Sequence, residues 1–147
     1  MINIALYKPD IPQNTAAIVR LCACFEIKIH IIEPCGFNLN DSRFKRVVMD
    51  YANLVNITRY ENYANFISKN KNSRIILMTT KAKKKYFNFK FISKDIILFG
   101  RESAGVPKAV HTEIKNKLKI PMNKNARSLN ISMTAAIVVS EAFRQLN

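Results

Sequence analysis

The chain has 147 residues, enough for one domain with a sizeable core and too few for a second. Apolar residues make up 48% of it, which excludes a disordered chain, and no apolar run approaches the roughly 18–20 residues that span a bilayer. Lys and Arg outnumber Asp and Glu by 24 to 10, a formal charge of +14. Such a field draws polyanions, nucleic acid first among them, although a lysine-rich proteome gives the same excess.

Strand-length apolar runs alternate with helical periodicities almost from end to end. Asn3–Tyr7 reads as a first strand, and Met1–Tyr7 lacks the basic start and small-residue cleavage site of a signal peptide, so the protein is expected in the cytoplasm. After a stiff Pro9–Pro12 loop, Asn14 or Thr15 is placed to cap a helix with Ile18, Leu21, Cys22 and Phe25 on one face. Lys28–Glu33 is the next strand, Pro34–Gly36 a turn, and Asp41 the cap of a helix carrying Phe44, Val47 and Val48. Leu54–Arg59 reads as a third strand, before a short helix with Tyr63, Phe66 and Ile67. Arg74–Thr79 and Asp95–Phe99 are compact apolar strands of the kind buried on both faces. Pro107 begins a short helix, Leu118–Ile120 is a last strand, and Ala135, Val138, Val139, Ala142, Phe143 and Leu146 stripe the final helix.

This alternation predicts one α/β domain over residues 1–147, a mostly parallel sheet with helices on both faces. Cys22, Cys24 and Cys35 form no CxxC pair, and neither His30 nor His111 has metal-ligand spacing. Free thiols and no metal are therefore expected. The three glycines, at 36, 100 and 105, exclude both the GxGxxG and the GxxxxGK[ST] phosphate loops.

In open parallel sheets ligands collect at the carboxyl ends of strands. Three polar or turn-forming segments follow such ends: Thr79–Lys90, Gly100–Pro107 and Pro121–Ser132. Gly100 lets backbone approach a ligand, and Gly105 permits a positive φ before Pro107. Ser128, Asn130 and Ser132 precede the last helix, and capping accounts for one of them, not all three. On the first helix, Arg20 lies on the polar side, where a solvated residue is the plain reading. In Lys81–Lys90 five lysines stand beside Tyr86, Phe87 and Phe89. The lysines suit phosphates, and an exposed Tyr86 or Phe87 suits a stacked base. A solvated loop with its aromatics folded onto the core is the alternative.

Taken in order, Asn14–Arg20, Phe99–Pro107 and Ile120–Ser132 resemble the three motifs of the SPOUT superfamily of RNA methyltransferases. The nearest branch is the tRNA (cytidine/uridine-34) 2'-O-methyltransferases. The likeness extends over nearly the whole chain, through Leu6-Tyr7, His30–Pro34, Gly36-Phe37, Asp50-Tyr51 and Thr79–Lys81. Ala16 and Glu26 stand where glycines are common in that family.

The resemblance implies an α/β knot, in which the C-terminal part is threaded into a trefoil and binds S-adenosyl-L-methionine. Deep knots are rare exceptions to chain topology, and nothing in the periodicity suggests one. It further implies a homodimer that methylates the wobble ribose within a tRNA anticodon stem-loop. Carried over by motif, the cofactor site comprises Met78, Thr79, Gly100, Glu102, Gly105, Ile120, Met122, Ser128 and Leu129. The catalytic group comprises Arg20, Asn14, Ser128 and Asn130, and the RNA-binding group Lys81, Lys83, Lys84, Lys85 and Arg127. The residue matching Arg20 is assigned the proton step in this family. A guanidinium is a poor base, so a phosphate anchor that stabilises the developing alkoxide is the competing role. A ribosomal-RNA methyltransferase of the same superfamily, or a non-catalytic RNA-binding protein on this scaffold, are the alternative functions.

Overall fold

In the computed structural model the backbone is described over residues 1–147, with the side chains of all residues except 47, 49 and 52. Val47, expected on the apolar face of its helix, lies outside the described side chains. The strands are β1 (Asn3–Tyr7), β2 (Lys28–Ile32), β3 (Ile57–Tyr60), β4 (Ile75–Met78), β5 (Lys84–Lys85), β6 (Ile96–Phe99) and β7 (Asn116–Lys119). The helices are α1 (Pro12–Cys24), α2 (Ser42–Ala52), α3 (Tyr63–Lys69), α4 (Lys108–Glu113) and α5 (Ile131–Leu146). The strands form one sheet in the order β3-β2-β1-β6-β4-β7-β5, and every pairing is parallel.

Alternation along the strands divides the core in two, because successive side chains point to opposite faces. Ile4 and Leu6 of β1 join Ile29, Ile31, Ile97 and Phe99 beneath α1, α2 and α5. Ala5 and Tyr7 join Ile96, Leu98 and Leu77 against Phe66 of α3 and Val110 of α4. Helices therefore cover both faces. β6, whose four residues are all buried, is the doubly covered strand that its apolar run predicts.

Some boundaries differ from expectation for local reasons. Pro12 occupies the start of α1 and Ile11 its cap position, with no side-chain bond. Neither Asn14 nor Thr15 is the cap: proline fixes the helical φ one turn earlier, and the Asn14 side chain is engaged elsewhere. Asp41 does cap α2, accepting from Arg43 N. β3 begins at Ile57, three residues later than expected, because Asn53–Asn56 complete the turn out of α2. β7 runs Asn116–Lys119 and stops before Ile120. β5 and the 3₁₀ turn Tyr86–Asn88 lie within a stretch read as loop. Their signal is two lysines, with no apolar alternation to detect. Glu26 has φ +52°, in the left-handed region that glycine adopts most easily.

Among the described residues, His30 is one of three buried polar ones, with Thr15 and Asp95. Tyr60 Oη accepts from Asn70 Nδ2 at 3.3 Å and lies 2.8 Å from His30 Nδ1. The phenol and the imidazole share this hydrogen bond, and His30 Nε2 is buried without a partner. Burial, with Lys28 nearby, pushes the His30 pKa down to about 4.

Candidate active site

The chain winds outward one way from β1 to β3 and returns on the other side of β6 from β4 onward. That reversal leaves a crevice at the carboxyl ends of β1, β6, β4 and β7, where open parallel sheets bind ligands. There a cleft of about 460 Å³ is walled by the segments after β4, β6 and β7 and by the first turn of α1. Leu77, Phe99 and Ile120 supply apolar floor, and Thr79, Asn14 and Asn130 polar edge.

The loop after β6 is built by its glycines. Arg101 N donates to Gly105 O at 2.9 Å and Gly105 N to Arg101 O at 2.8 Å, closing a tight turn. A Cβ on Gly100 would lie 2.6 Å from Gly105 C, so only glycine lets the turn fold back on its stem. Gly105 itself has φ +65°, a conformation costly for other residues.

Glu102 and Asp10 then tie this loop to α1. Glu102 Oε2 accepts from Asp10 N at 2.8 Å, and Oε1 from Asn14 Nδ2 at 3.2 Å. Asn14 Oδ1 accepts from Asn130 Nδ2 at 3.0 Å. Asn130 Oδ1 caps α5 through Ser132 N at 2.8 Å and also accepts from Ser132 Oγ at 2.7 Å. One polar chain thus joins three segments far apart in sequence. Asp10 adds a second clasp, accepting from the Arg101 guanidinium and from Ser103 Oγ at 2.5 Å. The Arg101 guanidinium, then the Ser103 hydroxyl, hold its carboxyl down at about 2.

The cleft brings together every residue expected at the cofactor: Met78, Thr79, Gly100, Glu102, Gly105, Ile120, Met122, Ser128 and Leu129 all line it. Asn14, Asn130 and Lys81 line it too. Arg20 does not. It stands six residues beyond Asn14, about 9 Å along α1, exposed, with its guanidinium 5.1 Å from the centre of the Tyr51 ring. Lys83, Lys84, Lys85 and Arg127 are exposed but outside the cleft walls. The neighbouring aromatics divide: Phe89 is buried, Tyr86 packs partly on the core, and Phe87 is 46% exposed beneath the Lys85 ammonium. Sequence reasoning missed Asp10, Arg101 and Ser103, whose pairings span more than ninety residues and leave no local pattern. Among the described residues no three of His, Cys, Asp and Glu converge on a metal-sized site. Cys22 is buried, Cys24 exposed and Cys35 intermediate, all free.

The volume suits a nucleoside-sized ligand. Three loops wall the cleft, and Met78, Ile120 and Leu129 give it apolar surface. Fold and cleft together define a parallel α/β protein with a nucleoside-sized crevice at its strand ends. The sequence matches the SpoU rRNA Methylase family over residues 1–140, and the chain belongs to that family. It is 44% identical over 145 residues to the tRNA (cytidine(34)-2'-O)-methyltransferase of Beijerinckia indica, covering 97% of this chain and 91% of the relative. The Escherichia coli enzyme of the same name is 38% identical, with 99% and 94% covered. A structure solved in work on 2-OH methylation of cytidine or uridine 34 on tRNA superimposes with a TM-score of 0.93 at 32% identity, covering 99% of this chain and 95% of that one. The AdoMet-bound rRNA methyltransferase of Sinorhizobium meliloti shares the fold, with a TM-score of 0.88 at 23% identity over 99% of this chain and 57% of its own.

Proposed function

We propose that the protein is an S-adenosylmethionine-dependent tRNA methyltransferase that methylates the ribose 2'-oxygen of the wobble nucleotide in the anticodon stem-loop. Carrying the reading is the overlap of nearly the whole chain with relatives of that activity, joined to a cleft in which the residues of all three motif segments meet. When bound, S-adenosylmethionine supplies a methyl group already activated by its sulfonium.

What remains for the protein is alignment and proton management. Met78, Thr79, Gly100, Gly105, Ile120, Met122 and Leu129 bind the cofactor. Glu102, Asn14 and Asn130 hold the three loops in register around it, and Ser128 lines the cleft beside them. Arg20, exposed beyond the cleft wall and stacked on Tyr51, anchors a substrate phosphate and through it steadies the reacting ribose. Lys81, Lys83, Lys84, Lys85 and Arg127 neutralise phosphates along the approach.

The same reading includes a single domain over residues 1–147 with its C-terminal part threaded as a trefoil knot, and a cytoplasmic homodimer. Support for the threading is that Leu118 pairs with Met78 on one side and Lys84 on the other. Residues 79–83 thus arch over the chain leaving β7. In favour of the dimer are the exposed apolar side chains of Ile11 and Leu129 on the cleft wall and of Met133 in the first turn of α5, which a second copy would cover. No described helix is long and apolar enough to cross a membrane.

The test is transfer of labelled methyl from S-adenosylmethionine to total tRNA, with Arg20→Ala in parallel. Label on a ribose 2'-oxygen in the anticodon, absent in the variant, is the expected result. Cofactor binding without transfer to tRNA would redirect the search to another RNA. Absence of both would end the enzyme reading.

A further inference from the structure

On the other side of the α1 first turn lies a second hollow, of about 400 Å³. Phe37 and Phe44 floor it, their ring centroids 5.2 Å apart, and Pro12, Gln13, Asn38 and Arg43 rim it. Ile11 and Asn14 of the same turn wall the cofactor cleft, so this turn is a partition between the two. A helix with its side chains is about 10–12 Å across, short enough for neighbouring nucleotides of one strand to lie on either side.

The surroundings select the occupant. Arg43, Lys45 and Arg46 are exposed along α2, and Arg20 of α1 lies over Tyr51 of the same helix. Asp41 lines the hollow beside Arg43 and is paired with it, so these two charges balance and the positive excess around the hollow comes from Lys45, Arg46 and Arg20. Cations around an aromatic floor suit a single-stranded polyanion, with phosphates meeting the cations and a loosened base meeting the rings. The exposed amides of Gln13 and Asn38 supply donors and acceptors for a base edge. A second copy of the chain would instead bring like charges together.

We propose that this hollow receives an unstacked base of the substrate RNA, one that neighbours the methylated nucleotide. The proposal rests on the reading of the protein as a tRNA methyltransferase.

Gln13→Trp fills the hollow from an exposed helical position and is the principal test, using a synthetic anticodon stem-loop RNA. Its affinity for that RNA is expected to fall on the order of tenfold, with S-adenosylmethionine binding by calorimetry and melting temperature as in wild type. A stem-loop made abasic at the neighbouring position should lose a similar factor on the wild-type protein and nothing further on Gln13→Trp. Arg46→Ala, an exposed α2 variant outside the lining of the hollow, should reduce the salt slope of RNA binding by about one. Unchanged RNA affinity in Gln13→Trp, or strictly additive losses with every abasic RNA, would overturn the proposal. So would a drop in mass of Gln13→Trp by light scattering, which would assign the hollow to a second copy. Wild-type protein that binds cofactor yet methylates no tRNA would defeat the enzyme reading instead, and is scored separately.

Discussion

Asn14 Nδ2 donates to Glu102 Oε1 at 3.2 Å, joining the first turn of α1 to the loop after β6. Because Glu102 also accepts from Asp10 N, its removal leaves two donors of α1 and its approach without partners. Glu102→Ala is expected to lower unfolding stability by about 1–3 kcal/mol. Combined with Asn14→Ala it should show a coupling of roughly 0.5–3 kcal/mol. A double-mutant cycle by urea denaturation checks this, and strict additivity would contradict it.

Gly100→Ala tests the tight turn. The new methyl would stand 2.6 Å from the Gly105 backbone, and backbone rather than a flexible side chain would have to yield. The loop must open, moving Glu102 and Gly105 away from the cleft. Calorimetry with S-adenosylmethionine should register at least roughly tenfold weaker binding, about 1.4 kcal/mol, with little change in the circular dichroism of the sheet.

His30 predicts a pH dependence. Its folded pKa is lowered to about 4 from an ordinary 6.5 by burial, with Lys28 adding to it. Between those values the unfolded chain binds more protons than the folded one, so stability falls as pH drops through that window. The loss is on the order of 3 kcal/mol by pH 4. Melting temperatures at pH 7 and pH 5 should differ in wild type, and the difference should shrink in His30→Phe.

Asp95 anchors the end of the lysine-rich stretch. Fully buried, it accepts from Arg74 Nε at 2.8 Å, Arg74 Nη2 at 2.6 Å and Ile92 N at 2.9 Å. Asp95→Ala leaves a cation and an amide without their acceptor and should cost roughly 3 kcal/mol. Chemical denaturation measures it, and a change under 1 kcal/mol would mean that solvent reaches the Arg74 guanidinium more freely than its packing over Phe89 implies.

Much of the fold was legible along the chain because strand burial is written in consecutive residues. Ile29–Ile32 and Ile96–Phe99 announce themselves by β-branched and apolar runs, and α5 by its stripe of Ala135, Val138, Val139 and Ala142. Where the signal was a single residue, the result was mixed. Asp41 caps its helix as read, whereas neither Asn14 nor Thr15 caps α1, which has Ile11 at its cap position and Pro12 at its start, and Asn14 serves the cleft instead. β5 was missed because Lys84 and Lys85 pair with β7 through backbone groups, to which side-chain pattern is blind. The motif segments named residues that line one cleft, since the loops that follow β4, β6 and β7 were recognisable by position and composition.

By itself, then, the sequence determined the parallel α/β layering, the basic character and the loops that carry the site, all of them properties of residues near one another in the chain. Only the tertiary structure decided the partners across it: Glu102 with Asn14, Asp10 with Arg101 and Ser103, and Asn130 with Asn14. It also decided that Arg20 stacks on Tyr51 outside the cleft, and that one turn of α1 separates two hollows. Those choices depend on strand order, and strand order is set by how whole elements pack together.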